Sequence, residues 1–226
     1  MNAQARETVV LLHGIGHSRR NMLGVERALR RAGYDVVNIT YPSLRHNIGA
    51  LAAFVHKRLE RERVWDRAAK VHFVTHSMGG LVTRRYLEEH KDTIPAKKRG
   101  RFVMLAPPNA GSEIADLLHK LPPYRWLLGP AGQELCTSMQ TDPVAPPFCE
   151  TGVIAGTKGW LYPVANLIFT DGAETHDGRV TVERTKLRGM KDHFTLSVTH
   201  DQIAWKPVTH RQILHFLKDG TFNRAP

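Results

Sequence analysis

Val74-Thr75-His76-Ser77-Met78-Gly79-Gly80 sets a serine between a β-branched run and a stretch of helix-forming residues. A serine at the turn where a strand gives way to a helix can project its hydroxyl clear of the backbone, provided the neighbours two before and two after are small. Gly79 meets that condition and Gly80 assists; Thr75 occupies the position where glycine is commonest. The chemistry this turn would serve is nucleophilic attack by Ser77 on an acyl carbon. Such an attack creates an oxyanion, which two backbone N–H groups can hold. Leu11-Leu12-His13-Gly14-Ile15-Gly16 ends an earlier strand and offers one donor at Ile15. Met78, the residue after Ser77, offers the other at a helix start, where negative charge is favoured. His13 reads as a hydrogen-bonded loop residue that orients this turn, not as a base.

A serine nucleophile needs a base, and thirteen histidines supply many false ones. His72 and His76 lie four apart on a strand, ~13 Å, too far to share a metal ion. His210 and His215 fall inside the last helical pattern. His193 and His200 flank the apolar segment from Phe194 to Val198. A base belongs in a loop beyond the C-terminal end of a strand, which is where His200 stands. His193 precedes that segment, after Lys191-Asp192, where a charged loop would hold a solvated imidazole. Asp171 and Asp177 are each followed by glycine, and since Asp-Gly is a common turn dipeptide, pattern alone leaves the acid open between them. No His/Cys/Asp/Glu cluster has ligand spacing, so neither a metal nor another cofactor is expected.

The elements that must position these residues alternate. Thr8 to Leu12, Tyr34 to Tyr41, Lys70 to Thr75, Arg101 to Ala106 and Gly152 to Ala155 read as strands. Met22, Val25, Leu29 and Ala32 recur at helical spacing, with Gly33 ending that helix. Asn47 caps a second helix with an apolar stripe at Ile48, Leu51, Ala52, Val55 and Leu59. Met78 to Glu89 is a third helix, and Pro207 to Lys218 closes the pattern before Gly220. Strand alternating with helix over this length predicts an α/β fold with a mostly parallel sheet covered on both faces. Between residues 109 and 150 prolines interrupt the alternation, with Leu117, Leu118, Leu121, Trp126, Leu127 and Leu128 among them. That segment is expected to be an irregular insertion acting either as a lid or as a satellite core, so residues 1–226 read as a single domain.

The 226 residues are 42% hydrophobic and 23% charged, near the globular average, which excludes disordered and fibrous classes. No apolar run approaches the ~20 residues of a membrane span, and Met1 to Thr8 is too polar for a signal peptide. A soluble protein is expected, cytoplasmic by default, with the compartment open. The net charge of +11 invites a nucleic-acid partner. However, Arg27, Arg30 and Arg31, then Lys57, Arg58, Arg61, Arg63 and Arg67, sit on separate helical faces, and Lys97, Lys98 and Arg99 form a loop before a strand. Without interleaved aromatic residues they read as solvated surfaces. No nucleic acid is expected; an anionic membrane surface stays open as a partner. Cys136 and Cys149 share one irregular segment as either a bridge or two free thiols.

In order, the chain offers a strand into His13-Gly14, the Ser77 turn, Ala106-Pro107-Pro108-Asn109-Ala110-Gly111-Ser112 after the next strand, an Asp-Gly and a late histidine. That series resembles the α/β-hydrolase superfamily, specifically its small bacterial lipase and esterase branch of serine hydrolases, over nearly the whole length. The resemblance implies a three-layer α/β-hydrolase fold and catalytic residues in the order Ser, Asp, His. Asp177-Gly178-Arg179-Val180 resembles the family's Asp-Gly-x-Val, whereas Asp171-Gly172 lacks the valine, so the resemblance implies Asp177 beside Ser77 and His200. Cleavage of carboxylic esters through an acyl-enzyme is the activity implied, on a small-molecule ester or a lipid. An acyltransferase would use the same acyl-enzyme, and a non-catalytic binding protein could keep the fold. Oligomeric state is open.

Overall fold

The computed structural model describes residues 5–112, 115–116, 122–136, 148–159 and 175–224, without the side chains of 122–127. Asp171, Leu117, Leu118 and Leu121 lie outside the described residues, as do the side chains of Trp126 and Leu127. Six strands form one all-parallel sheet: β1 (Thr8–Leu12), β2 (Asp35–Ile39), β3 (Val71–His76), β4 (Arg99–Leu105), β5 (Thr151–Gly156) and β6 (Asp192–Leu196), in the order β2-β1-β3-β4-β5-β6. β1, β3 and β5 are buried along their whole length, as strands covered on both faces must be.

The helices are α1 (Leu23–Arg31), α2 (Ile48–Arg61), α3 (Val64–Arg67), α4 (Met78–Glu89), α5 (Pro122–Gln133), α6 (Val182–Thr185) and α7 (Pro207–Asp219). Alternate residues of each strand feed opposite faces. On one face Val10, Leu12, Phe73, Phe102 and Met104 pack with the apolar stripes of α2 and α4. On the other, Val9, Leu11, Val74, Val103 and Leu105 pack with Val25 and Leu29 of α1 and with Ile213, Phe216 and Leu217 of α7. The expected stops are present: Asn47 Oδ1 accepts from Ala50 N at 2.8 Å at the start of α2, and Gly33 (φ 93°) and Gly220 (φ 76°) follow α1 and α7.

Register decides where the strands end together. Leu12 of β1 pairs with Thr75 of β3, and Thr75 with Met104 of β4, so the His13-Gly14 loop and Ser77 leave the sheet side by side. Gly156 of β5 pairs with Leu196 of β6, which brings the next two loops to the same edge.

Two sequence expectations need correction. β4 begins at Arg99, not Arg101: a register shift opposite Val71 and Phe73 absorbs Gly100, and the Arg99 guanidinium leaves the strand to donate to the carbonyls of Lys91 and Ile94. His193 is not in a charged loop. It lies within β6, because Asp192 is held by Phe222 N and by an ion pair with Arg224, which lets the strand start early. Among the described residues of the segment 109–150 is α5, kinked at Gly129 ahead of Pro130. A Cβ at Gly129 would overlap the Leu44 backbone, so this helix lies against the loop after β2. Cys136 and Cys149 are both free thiols.

Candidate active site

Ser77 follows the last residue of β3 with φ 53° and ψ −127°, a region that costs a non-glycine residue about 1–3 kcal/mol. Its surroundings hold it there. Ser77 N–H donates to Leu105 O at 2.8 Å, and a Cβ on Gly79 would stand 2.7 Å from His13 O and 2.8 Å from Leu12 O. The small residue expected two after the serine is therefore required by the approach of α4 to the end of β1. Gly14 is close on the other side: its Cβ would lie 3.2 Å from Ser77 Cβ.

The loop from His13 to His17 is locked by its own bonds and by Tyr41 and Ser43 of the loop after β2. His13 Nδ1 donates to Gly14 O at 2.7 Å, its Nε2 accepts from Tyr41 N at 3.3 Å, and Tyr41 Oη donates to His13 O. Burial pushes the His13 imidazole down to about 4, against the opposing pull of the Gly14 carbonyl, so it stays neutral and fixes the turn as expected of it. Gly16 N–H donates to Ser43 Oγ at 3.0 Å and His17 N–H to Gly14 O at 3.3 Å. The N–H groups of Ile15 and Met78 have no acceptor among the described residues.

Asp177 is fully buried in a tight turn after β5. Its Oδ1 accepts from Arg179 N and Val180 N, both at 2.9 Å, and its Oδ2 faces His200 Nδ1 at 2.8 Å. His200 N–H also donates to Asp177 O at 2.9 Å. Gly156 ends β5 where a Cβ would come within 2.7 Å of Asp177 Cβ, so only glycine lets the turn seat. Asp177 and His200 thus come together from residues 23 apart. The Ser77 hydroxyl makes no hydrogen bond to a described residue; such bonds commonly tighten only once substrate is in place. His193 is elsewhere, half-buried with Nε2 at 3.0 Å from Thr185 Oγ1.

Sequence reasoning missed several supports. Ser112 Oγ donates to Arg179 O at 2.8 Å and so braces the Asp177 turn; its signal was present in the Pro-Asn-x-Gly-Ser segment, but not its partner. His76, considered only as a metal ligand, is fully buried with Nε2 3.0 Å from His200 O and Nδ1 2.9 Å from the Asn21 side chain. Beside these residues a groove of about 510 Å³ runs between Gly16-His17 and Asp201, with Trp205, 46% exposed, at its rim.

The sequence model of the alpha/beta hydrolase family matches residues 9–214. The chain belongs to that family. Among solved structures, Bacillus licheniformis lipase BlEst2 in its mature form is similar at 19% identity and a TM-score of 0.71, over 96% of this hydrolase-family chain and 92% of the lipase. Phospholipase PlaB from Legionella pneumophila is similar at 18% identity and a TM-score of 0.70, over 95% of this chain but 59% of its own. The RedJ thioesterase of Streptomyces coelicolor follows at 15% identity and a TM-score of 0.62, over 94% and 85% of the two chains. At these identities the likeness is one of fold. No curated protein matches by sequence. Among the described residues, no helix is long and apolar enough to cross a membrane.

Proposed function

We propose that this chain hydrolyses carboxylic esters through an acyl-enzyme on Ser77. With the His200 Nδ1 proton directed at Asp177 Oδ2, Nε2 is left as the lone pair that takes the Ser77 proton during attack. Asp177 then stabilises the imidazolium without itself being protonated. The uncommitted N–H groups of Ile15 and Met78 receive the oxyanion. His200 returns the proton to the leaving alcohol, and water repeats the sequence in reverse roles to free the acid. The buried 2.8 Å contact between His200 and Asp177, beside a serine held at positive φ, is the observation that carries this reading.

The names of the similar structures, a lipase, a phospholipase and a thioesterase, agree with acyl chemistry on an ester or lipid. The chain is read as one domain, and of the segment 109–150 the described helix α5 comes near the oxyanion loop. A Cβ on Gly132 of α5 would stand 3.4 Å from Ile15 Cδ1, close enough for that segment to shape the acyl pocket. The test is labelling by a fluorophosphonate together with turnover of p-nitrophenyl esters of graded length. Wild-type protein is expected to be labelled at Ser77 and to turn over, and Ser77→Ala to do neither while keeping its fold. Undiminished turnover by Ser77→Ala would overturn the proposal.

A further inference from the structure

We propose that His76 is the positioning residue for the base: its imidazole, set by Asn21, holds the backbone carbonyl of His200 and thereby fixes the His200 ring relative to Ser77. The inference rests on the acyl-enzyme reading but concerns a residue that takes no proton in it.

The assignment follows from donors and acceptors. A carbonyl oxygen only accepts, so His76 Nε2, 3.0 Å from His200 O, carries the proton. The ring is neutral: burial first, then the nearby His200 and His17 imidazoles, with Arg179 adding to them, hold its pKa well below the ordinary histidine value, and the His200 carbonyl only partly opposes this. A neutral ring protonated at Nε2 accepts at Nδ1; Asn21 Oδ1 stands 2.9 Å from it, so the amide is assigned in the flipped sense, with its NH₂ group donating there. Asn21 is itself buried, in the turn of 3₁₀ helix (Arg19–Met22) that comes after the His13 loop. Asn21, His76 and His200 therefore link the loops after β1, β3 and β6.

Each bond to His200 has a separate consequence. Its N–H and Nδ1 are bound to Asp177, which fixes the base against the acid. Its carbonyl is bound to the residue that immediately precedes Ser77, which fixes the base against the nucleophile. The rings of His76 and His200 also lie 4.9 Å apart between centroids, so loss of the bond would let one slide on the other. Misplacement of a reacting group by about 1 Å can cost ~10² in rate. A buried histidine that merely filled space would be replaced without loss by an aromatic ring.

Three variants separate these cases. His76→Phe keeps the volume and loses both bonds; His76→Gln keeps a donor near the Nε2 position; Asn21→Leu removes only the constraint on the His76 tautomer. On a p-nitrophenyl ester, His76→Phe is expected to lower kcat 10- to 100-fold at nearly unchanged KM. His76→Gln should recover most of that loss, and Asn21→Leu should lose a few-fold, with the Tm of each measured alongside. The second readout is the downfield proton NMR resonance of the His200 Nδ1–H bound to Asp177: moved or broadened in His76→Phe, kept in His76→Gln. A His76→Phe protein with wild-type kcat and an unmoved resonance overturns the proposal, as does a His76→Gln protein no better than His76→Phe at equal Tm. If His76→Phe does not fold, Asn21→Leu and His76→Gln decide by the same two readouts. Ser77→Ala, run in parallel, reports on the acyl-enzyme reading alone. Should it stay active, the resonance comparison still decides whether His76 positions His200.

Discussion

Asp177 gives its two carboxylate oxygens to different tasks, and a single substitution separates them. Oδ1 accepts from the N–H groups of Arg179 and Val180, while Oδ2 accepts from His200 Nδ1. Asparagine can keep the first task but inverts the second: an NH₂ group facing Nδ1 drives the imidazole proton to Nε2, where it blocks acceptance of the Ser77 proton. Asp177→Asn is therefore expected to fold with a nearly unchanged Tm and to lose about 10⁴ in kcat. Asp177→Ala should lose stability as well, because the buried Val180 N–H is left without its acceptor at about 1–3 kcal/mol, while the part-buried Arg179 N–H can turn to water. An Asp177→Asn protein that kept a tenth of its turnover would remove this residue from the mechanism. Single residues were unevenly legible in the sequence. Ser77, Gly79 and the Ile15 and Met78 donors follow from one local turn and its partner loop. The acid was ambiguous by pattern, and the choice of Asp177 over Asp171 rested on likeness to a family. The His76 link was invisible, because partners 55 and 124 residues away leave no local periodicity.

At the scale of elements, two glycines in helices make opposite predictions. A Cβ at Gly79 would press on the backbone carbonyls of His13 and Leu12, which cannot swing away as a side chain can. Gly79→Ala is therefore expected to part α4 from the end of β1 and to cost several kcal/mol, of the order seen for overpacking in a tight core. A Cβ at Gly49, in the first turn of α2, would meet only Asn47 Oδ1 at 3.8 Å. Gly49→Ala should stabilise by up to about 1 kcal/mol. Thermal melts of both check the contrast, and equal Tm values would show that α4 has room the structure denies it. The buried strands and the capped helices were legible because β-branched runs, an asparagine cap and terminal glycines each act locally. Edges were not: β6 opens with Asp192 and His193 because its charge is neutralised by Arg224 from the far side of α7, a tertiary contact.

For the whole molecule, the neutral buried histidines set a pH dependence of stability. His13 is held at about 4 and His76 well below its ordinary value, chiefly by burial. Both regain a value near 6.5 on unfolding, so below that pH the unfolded chain binds more protons than the folded one and stability falls as pH falls. The stability from neutral His13 is fully present above about pH 6.5 and declines as the pH drops toward 4, by about 3 kcal/mol in all. Tm is expected to be flat between pH 7 and 8, then to drop steadily below pH 6.5, with a shallower slope in His13→Asn. A Tm that rose toward pH 5 would mean that these rings are charged in the folded protein.

The order of the sheet also bears on when reactivity appears during synthesis. β1 sits between β2 and β3, and β4, β5 and β6 then add to one side in chain order, so the strand before His200 closes the far edge last. A ribosome that has released the chain only as far as Arg184 has already delivered Ser77 and Asp177, but not His200 to join them. On the proposed mechanism, the serine stays an ordinary alcohol until β6 and the His200 loop dock, and does not acylate itself on esters while the sheet is unfinished. Nascent chains stalled with Arg184 as the last residue outside the ribosome should therefore resist a fluorophosphonate that labels the released protein; equal labelling of both would place the activation of Ser77 in the earlier part of the chain.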